Sequence, residues 1–155
     1  MTARVARLTE SDWRVFAGVR LRALTDFLGE NDPQYRREVT FTAGQWRRRL
    51  RDHAQFAALV GERPVGLIGA QQENPETVYL YSLWLDPSAR GHGLARPLVA
   101  AAVDWARGRR ARTVKLRVAV DNAVARGVYE SLGFAVAASG NFCPRDEVAM
   151  TLSVS

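Results

Sequence analysis

Cysteine occurs once in the 155 residues, at Cys143, and lysine once, at Lys115. A single cysteine excludes an internal disulfide and any cysteine-rich metal site. No basic partner for a thiol nucleophile stands out in the sequence, so Cys143 is expected to be a small buried apolar residue. The two histidines, His53 and His92, lie far apart and make no metal-ligand spacing, so no metal is expected. No apolar run approaches the length of a membrane span, and the start, Met1-Thr2-Ala3-Arg4, lacks a signal-peptide core. The expectation is a cytoplasmic protein with no membrane partner. Repeats, linkers and low-complexity stretches are missing too, and the length suits one domain, residues 1–155, around a single core.

What the chain has in excess is arginine. Lysine and arginine total 22 against 16 acidic residues, a net charge of +6. Clusters fall at Arg47-Arg48-Arg49 with Arg51, and at Arg107, Arg109, Arg110 and Arg112. Such clusters suit nucleic acid, a phosphate-rich cofactor, or simply a solvated helix face, the preferred reading for residues 47–51. No basic ribbon interleaved with aromatics is present, so nucleic acid is not the expected partner.

The pattern of apolar residues predicts a strand over Val5 to Leu8, then a helix capped by Thr9 and running to about Phe27. Gly29-Glu30-Asn31-Asp32-Pro33 breaks it, and a second helix covers Ala43 to Arg51. Phe56 to Val60 and Val65 to Gln71 form a hairpin, followed by a long strand, Thr77 to Leu85. A helix from Pro97 to about Gly108, a strand from Thr113 to Val120 and a helix from Asn122 to Leu132 follow. Val136 to Ala138 and Val148 to Leu152 close the chain. Hairpin-connected strands ahead of a βαβα unit imply an α/β (α+β) fold, a mixed sheet with helices on both faces.

Two segments carry chemistry. Arg90-Gly91-His92-Gly93-Leu94-Ala95 joins the long strand to a helix start. A helix N-terminus offers unpaired N–H groups and partial positive charge, and Arg90 adds a cation suited to phosphate oxygens. A structural glycine turn accounts equally well for that hexapeptide alone. The second segment runs from Asp121-Asn122 through Tyr129 to Gly133-Phe134. Together they resemble the GNAT superfamily of acyl-CoA-dependent N-acyltransferases. The pattern Arg/Gln-x-x-Gly-x-Gly/Ala falls on Arg90, Gly93 and Ala95, and the pattern Asn, short helix, Tyr, Gly-Phe falls on Asn122, Tyr129, Gly133 and Phe134. The resemblance is strongest from Val78 to Phe134.

That resemblance implies a mostly antiparallel sheet whose two parallel strands splay to form a coenzyme A cleft. Gly91, Gly93, Leu94, Ala95 and Arg96 would hold the pyrophosphate through backbone N–H groups, while His92, in the same loop, sits at the variable position and its side chain has no assigned role. Leu83, Trp84 and Leu85 would pair with the pantetheine arm, one N–H also stabilising an oxyanion. Asn122 would hydrogen-bond a pantetheine amide; its plain alternative is a helix cap. Tyr129 would protonate the departing thiolate as a phenol of ordinary pKa about 10; its plain alternative is a half-buried core aromatic beside a stripe of Val124, Val128 and Leu132. The activity implied is direct acetyl transfer from acetyl-CoA to a primary amine of a small molecule, or to a peptide lysine or N-terminus, with a non-catalytic acyl-CoA-binding module as the reading from another class. The glutamate that an N-terminal-acetylating subgroup carries twelve residues before the tyrosine is Arg117 here, and the strand before the glycine loop holds Tyr79, Tyr81 and Ser82 but no carboxylate. A water relay ending on Tyr81 or a loop carboxylate is the expected base. Acceptor contacts are expected from Glu30, Tyr35 and Phe142, with Asp32 and Glu38 favouring a cation, and a homodimer is implied by the family.

Overall fold

The computed structural model describes residues 2–137 and 146–155. Phe142 and Cys143 therefore lie outside the described residues. One seven-stranded sheet runs in the order β1-β2-β3-β4-β5-β7-β6. Its strands are β1 Arg4–Leu8, β2 Ala54–Val60, β3 Arg63–Asn74, β4 Thr77–Leu85, β5 Thr113–Ala119, β6 Ala135–Val136 and β7 Glu147–Ser153. Every neighbouring pair is antiparallel except β4 with β5. The helices are α1 Trp13–Leu28, α2 Pro33–Glu38, α3 Ala43–Asp52, α4 Ala95–Gly108 and α5 Ala123–Ser131. Among the described residues no helix is long and apolar enough to cross a membrane.

Helices cover both faces of the sheet, as the alternation of elements requires. Leu98, Val99, Ala102, Val103 and Ala106 of α4 pack on Val78 and Leu80 of β4, Val114 and Leu116 of β5 and Met150 of β7. On the opposite face Phe16, Val19 and Ala23 of α1 and Trp46 and Leu50 of α3 pack on Ala57, Leu67 and Trp84. β2, sandwiched between the two layers, is buried along nearly its whole length and so lacks an apolar–polar alternation.

Local chemistry sets the element ends. The backbone N–H of Thr9 donates to Asp12 Oδ2 at 2.8 Å, which closes a short 3-10 turn (Glu10–Asp12) ahead of α1. Thr42 and Gln45 cap α3 reciprocally. The short helix α2 is not evident from the apolar pattern. The Gly29–Pro33 segment reads as a breaker, yet Asp32 Oδ1 accepts the Gln34 N–H at 2.8 Å and Pro33 takes the first helical position. Asp-Pro is an N-cap followed by a residue preset for a helical start.

β4 is irregular in two respects, both on the side where a cleft opens. Its parallel ladder with β5 covers only Thr77 with Thr113, Val78 with Val114 and Tyr79 with Lys115. Past Tyr79 the strands separate, β4 remaining with β3 and β5 with β7. Between the pairs Gly69–Tyr81 and Leu67–Trp84, two residues of β4 oppose one of β3. This is a β-bulge, and Ser82 sits in it at φ 55°. A non-glycine residue there is strained by about 1 kcal/mol; Arg20 Nη1 donates to Ser82 Oγ at 3.1 Å and pins the bulge to α1.

Candidate active site in the splay between strands

The gap between β4 and β5 is lined as one continuous cleft with two lobes. The outer lobe, about 530 Å³, is bounded by Asp26, Phe27, Leu83, Trp84, Leu85, Arg90, Gly91, Ala95, Asn122, Val124, Ala125 and Val128. The inner lobe, about 330 Å³, includes Tyr81, Ser82, Leu83, Arg117, Asn122, Ala125, Tyr129 and Glu147. Phe27, Leu83, Asn122 and Ala125 border both.

Gly91 and Gly93 adopt φ of 81° and 74°, the left-handed region that a side-chain-bearing residue resists. The space beside each is open. α4 follows at once, and its first-turn N–H groups have no intrahelical acceptors. No N–H from Gly91 to Arg96 bonds to another backbone group among the described residues. A glycine loop feeding a 14-residue helix beside an unpaired strand edge is suited to a phosphate-bearing chain laid along the strand.

A family model for the acetyltransferase (GNAT) family matches residues 19–134. The chain belongs to that family. Among curated relatives, the mycothiol acetyltransferase of Corynebacterium glutamicum (strain R) is 42% identical over 79 residues, which cover 51% of this chain and 27% of that protein. An uncharacterized N-acetyltransferase of Methanocaldococcus jannaschii is 29% identical over 96 residues, 58% of this chain and 42% of that protein. The chain thus spans less than half the length of these curated relatives. Among solved structures, PaiA N-acetyltransferase of Thermoplasma acidophilum in complex with coenzyme A superposes with a TM-score of 0.74 at 15% identity, over 99% of this chain and 100% of that one. YncA of Salmonella typhimurium with acetyl-CoA gives 0.73 at 17% identity, over 100% and 95%. These likenesses establish the GNAT fold, and the short β4–β5 ladder agrees with the splay that the family resemblance implied.

Within this GNAT cleft several side chains are placed differently from the sequence expectation. Arg90 is not a free cation: Nη2 meets Asp26 Oδ2 at 2.5 Å and Nε donates to the Leu85 carbonyl at 3.1 Å. Asp26 also accepts the Trp84 indole N–H at 2.9 Å. The Trp84 hydrogen bond and then Arg90 hold its carboxyl below the ordinary range. Arg90 therefore anchors the end of β4 to α1, and half of its side chain remains open to the outer lobe. Trp84 is buried by its ring, so only its backbone is left for the gap. Arg96 Nη2 reaches the Ser131 carbonyl at 3.2 Å and ties α4 to α5. His92 is exposed; Leu94 is buried at the start of α4.

Asn122 caps α5, Oδ1 accepting the Ala125 N–H at 3.1 Å. The cap uses the carbonyl end of the amide, and the amide nitrogen has no partner among the described residues. The expected apolar stripe of α5 is split, with Leu132 just past the helix packed on the core and its other members facing the cleft. Val124 is 82% exposed and forms the cleft wall with Ala125 and Val128, while Tyr129 is the buried member of that helix.

Tyr129 packs edge-on against Phe134, ring centroids 5.9 Å apart. Its hydroxyl has no hydrogen-bond partner among the described residues, yet the residue lines the inner lobe. Burial, reinforced by nearby Tyr79, pushes its pKa up to about 12. A phenol so placed keeps its proton at any physiological pH.

The expected acceptor residues are not gathered here. Glu30 is exposed in the turn after α1 and borders neither lobe. Tyr35 lines a neighbouring cavity with Arg22, Thr25 and Asp86, which shares Asp26 and Trp84 with the outer lobe, and Tyr35 itself borders neither lobe. Glu38 is fully buried, bound to Arg20 at 3.1 Å and Arg49 at 3.0 Å, so it cannot attract a cationic ligand. Reasoning from sequence also missed Phe27, Glu147 and Ser82 as lining residues. Phe27, 56% exposed, reads by its spacing as part of the buried stripe of α1, and only its place in the last helical turn hints otherwise.

Proposed function

We propose that the chain transfers an acetyl group directly from acetyl-CoA to a primary amine of a small molecule. One observation carries the reading: the unpaired edges of β4 and β5 open into a single cleft that begins at the glycine loop and ends at the Tyr129 hydroxyl. The residues present fit an acyl-CoA. The N–H groups of Gly91 to Arg96 suit the pyrophosphate, the free backbone of Leu83 to Leu85 suits a strand-like pantetheine arm, and Val124, Ala125 and Val128 give that arm an apolar wall. Asn122 retains amide donors for a pantetheine carbonyl.

The donor supplies an activated thioester carbon. Tyr129, protonated because it is buried, donates to the departing sulfur. Backbone N–H groups at the bulge around Ser82 and Leu83 are the candidates to stabilise negative charge on the carbonyl oxygen. The inner lobe, about 330 Å³, has room for an amine of small-molecule size. A peptide acceptor remains the alternative within the class. Thiol release from acetyl-CoA against a panel of amines, amino acids, polyamines and peptides tests the reading. Release that depends on a small amine and on Tyr129 supports it; acetyl-CoA binding without release by any acceptor refutes it in favour of a binding module.

A further inference from the structure

We propose that Tyr81 and His53 form the path by which the acceptor amine loses its proton, with His53 as the terminal acceptor. This rests on the N-acetyltransferase reading above. Tyr81 lines the inner lobe together with Tyr129. Its ring lies over β3 at Gly69, where any Cβ would collide with the ring. Its hydroxyl meets His53 Nδ1 at 2.6 Å and Gln55 Nε2 at 2.7 Å. Gln55, at the start of β2, is 2% exposed, so this geometry is held from below by a buried side chain.

The relay requires one direction for these hydrogen bonds. An amide nitrogen only donates, so Tyr81 Oη is the acceptor from Gln55. In the relay the phenol's own proton points to His53, so Nδ1 is the unprotonated ring nitrogen and Nε2 carries the hydrogen. His53 borders a different cavity of about 300 Å³, lined by Phe41, Gln45, Arg48, Arg49 and Asp52, none of which lines the inner lobe. Tyr81 thus faces the cleft and His53 faces an open pocket beside α3, with one short hydrogen bond between them.

An alkylammonium must shed a proton before its nitrogen can attack, since its pKa is about 10 by analogy with lysine. That proton passes to Tyr81 Oη as the phenol proton passes to His53 Nδ1, leaving an imidazolium. The freed lone pair forms the N–C bond to the thioester carbonyl carbon. The C–S bond breaks, and the sulfur leaves with the electron pair and takes a proton from Tyr129. The second amine proton restores Tyr129, and the imidazolium releases its extra proton to water in the outer pocket. Ammonium and thioester become amide, thiol and one solvent proton.

The surroundings keep His53 ready to accept. Burial first, and then Arg49 on the same helix, lower its basicity, while Asp52 opposes them. Arg48 also faces the pocket, Glu38 of α2 holds Arg49 at 3.0 Å, and β2 and β4 present only the neutral Gln55 and Tyr81. Burial holds the Tyr81 phenol above its usual pKa, so it passes a proton on rather than parting with one permanently.

The test compares wild type, His53→Gln and Tyr81→Phe by kcat/KM for the best amine from about pH 5 to pH 9, alongside ¹⁵N NMR of the His53 ring in wild type and Tyr81→Phe. The expected result is about a 100-fold loss at neutral pH in both variants, with the inflection and plateau set by His53 in wild type replaced by a rate that climbs up to about pH 9, and the KM for acetyl-CoA unchanged. The gap narrows as pH rises and the amine loses its proton to solvent unaided. NMR is expected to show an unprotonated Nδ1 whose shift moves in Tyr81→Phe. A His53→Gln enzyme with wild-type rate, inflection and plateau overturns the relay and leaves the acetyltransferase reading standing, because that reading is tested at Tyr129. A protonated Nδ1 in the neutral ring overturns the relay without any acceptor being known.

Discussion

Tyr129→Phe removes one oxygen from the inner end of the cleft and nothing else. The hydroxyl has no hydrogen-bond partner among the described residues, and the ring's edge-on contact with Phe134 at 5.9 Å survives the change. Stability is therefore expected to shift by no more than about 0.5 kcal/mol, the range of a substitution that breaks no buried hydrogen bond, cap or packing contact. The catalytic effect is of another size. A positioned general acid contributes about 10²- to 10⁴-fold, which is about 3–5 kcal/mol of transition-state stabilisation. With a pKa of about 12, wild-type Tyr129 is ionised in only about one molecule in ten thousand at pH 8. Its loss of a proton therefore places no basic limb on the pH–rate profile below about pH 10. Steady-state thiol release gives kcat/KM, calorimetric titration gives the coenzyme A Kd, and a thermal melt checks the fold. A variant that keeps more than about half of wild-type kcat/KM refutes the assignment. So does a variant whose activity falls only in proportion to a large drop in melting temperature.

Glu38→Ala strands Arg20, whose guanidinium is nearly buried, and is expected to cost about 3–5 kcal/mol, read as a fall of roughly 10 °C in Tm. Burial opposes ionisation of Glu38, but Arg20, Gln34 and Arg49 outweigh it and hold the carboxyl below its usual 4.5. Its ionised form then stabilises the fold above that value, and the contribution is lost as pH falls through the lower folded pKa, which acid titration of wild type against Glu38→Gln will show. Gly93→Ala meets no neighbour, yet at φ 74° it strains the loop by about 1 kcal/mol; the coenzyme A Kd is expected to rise several-fold with a small loss of Tm. Gly69→Ala pushes the Tyr81 ring off its seat and is expected to reproduce the Tyr81→Phe pH profile while leaving acetyl-CoA affinity unchanged.

Where side-chain periodicity and capping govern the local conformation, the sequence was legible. The span of β4 is as expected, and α3 and α4 begin and end within two residues of the reading. The glycine loop, Asn122 and Tyr129 do converge on one cleft. Placement set by contacts between distant segments was not legible. Arg90 reads as a free cation until Asp26, 64 residues earlier, is brought beside it. Val124 and Val128 carry an apolar spacing that a core and a cleft wall would share. Nothing in local spacing joins His53 to Tyr81, because the meeting depends on a missing side chain at Gly69 of the intervening strand. Glu38 shows the same limit, an acidic loop residue by pattern and a buried ion-pair centre in the fold.

The brevity of the β4–β5 ladder has a mechanical consequence. Only three residue pairs join strands β1–β4 to strands β5–β7 directly, so the sheet is two panels meeting along a short seam. α4, packed on both panels, is the brace that holds them at a fixed angle. A donor molecule that hydrogen-bonds along the seam's open length couples the panels where the protein's own backbone does not. Binding should therefore act as a stiffener as well as a supply of acetyl groups. At a hundredfold excess over Kd the gain is about 2.7 kcal/mol, and amide exchange should slow most from Leu80 to Leu85 and from Leu116 to Ala119, on the two facing edges.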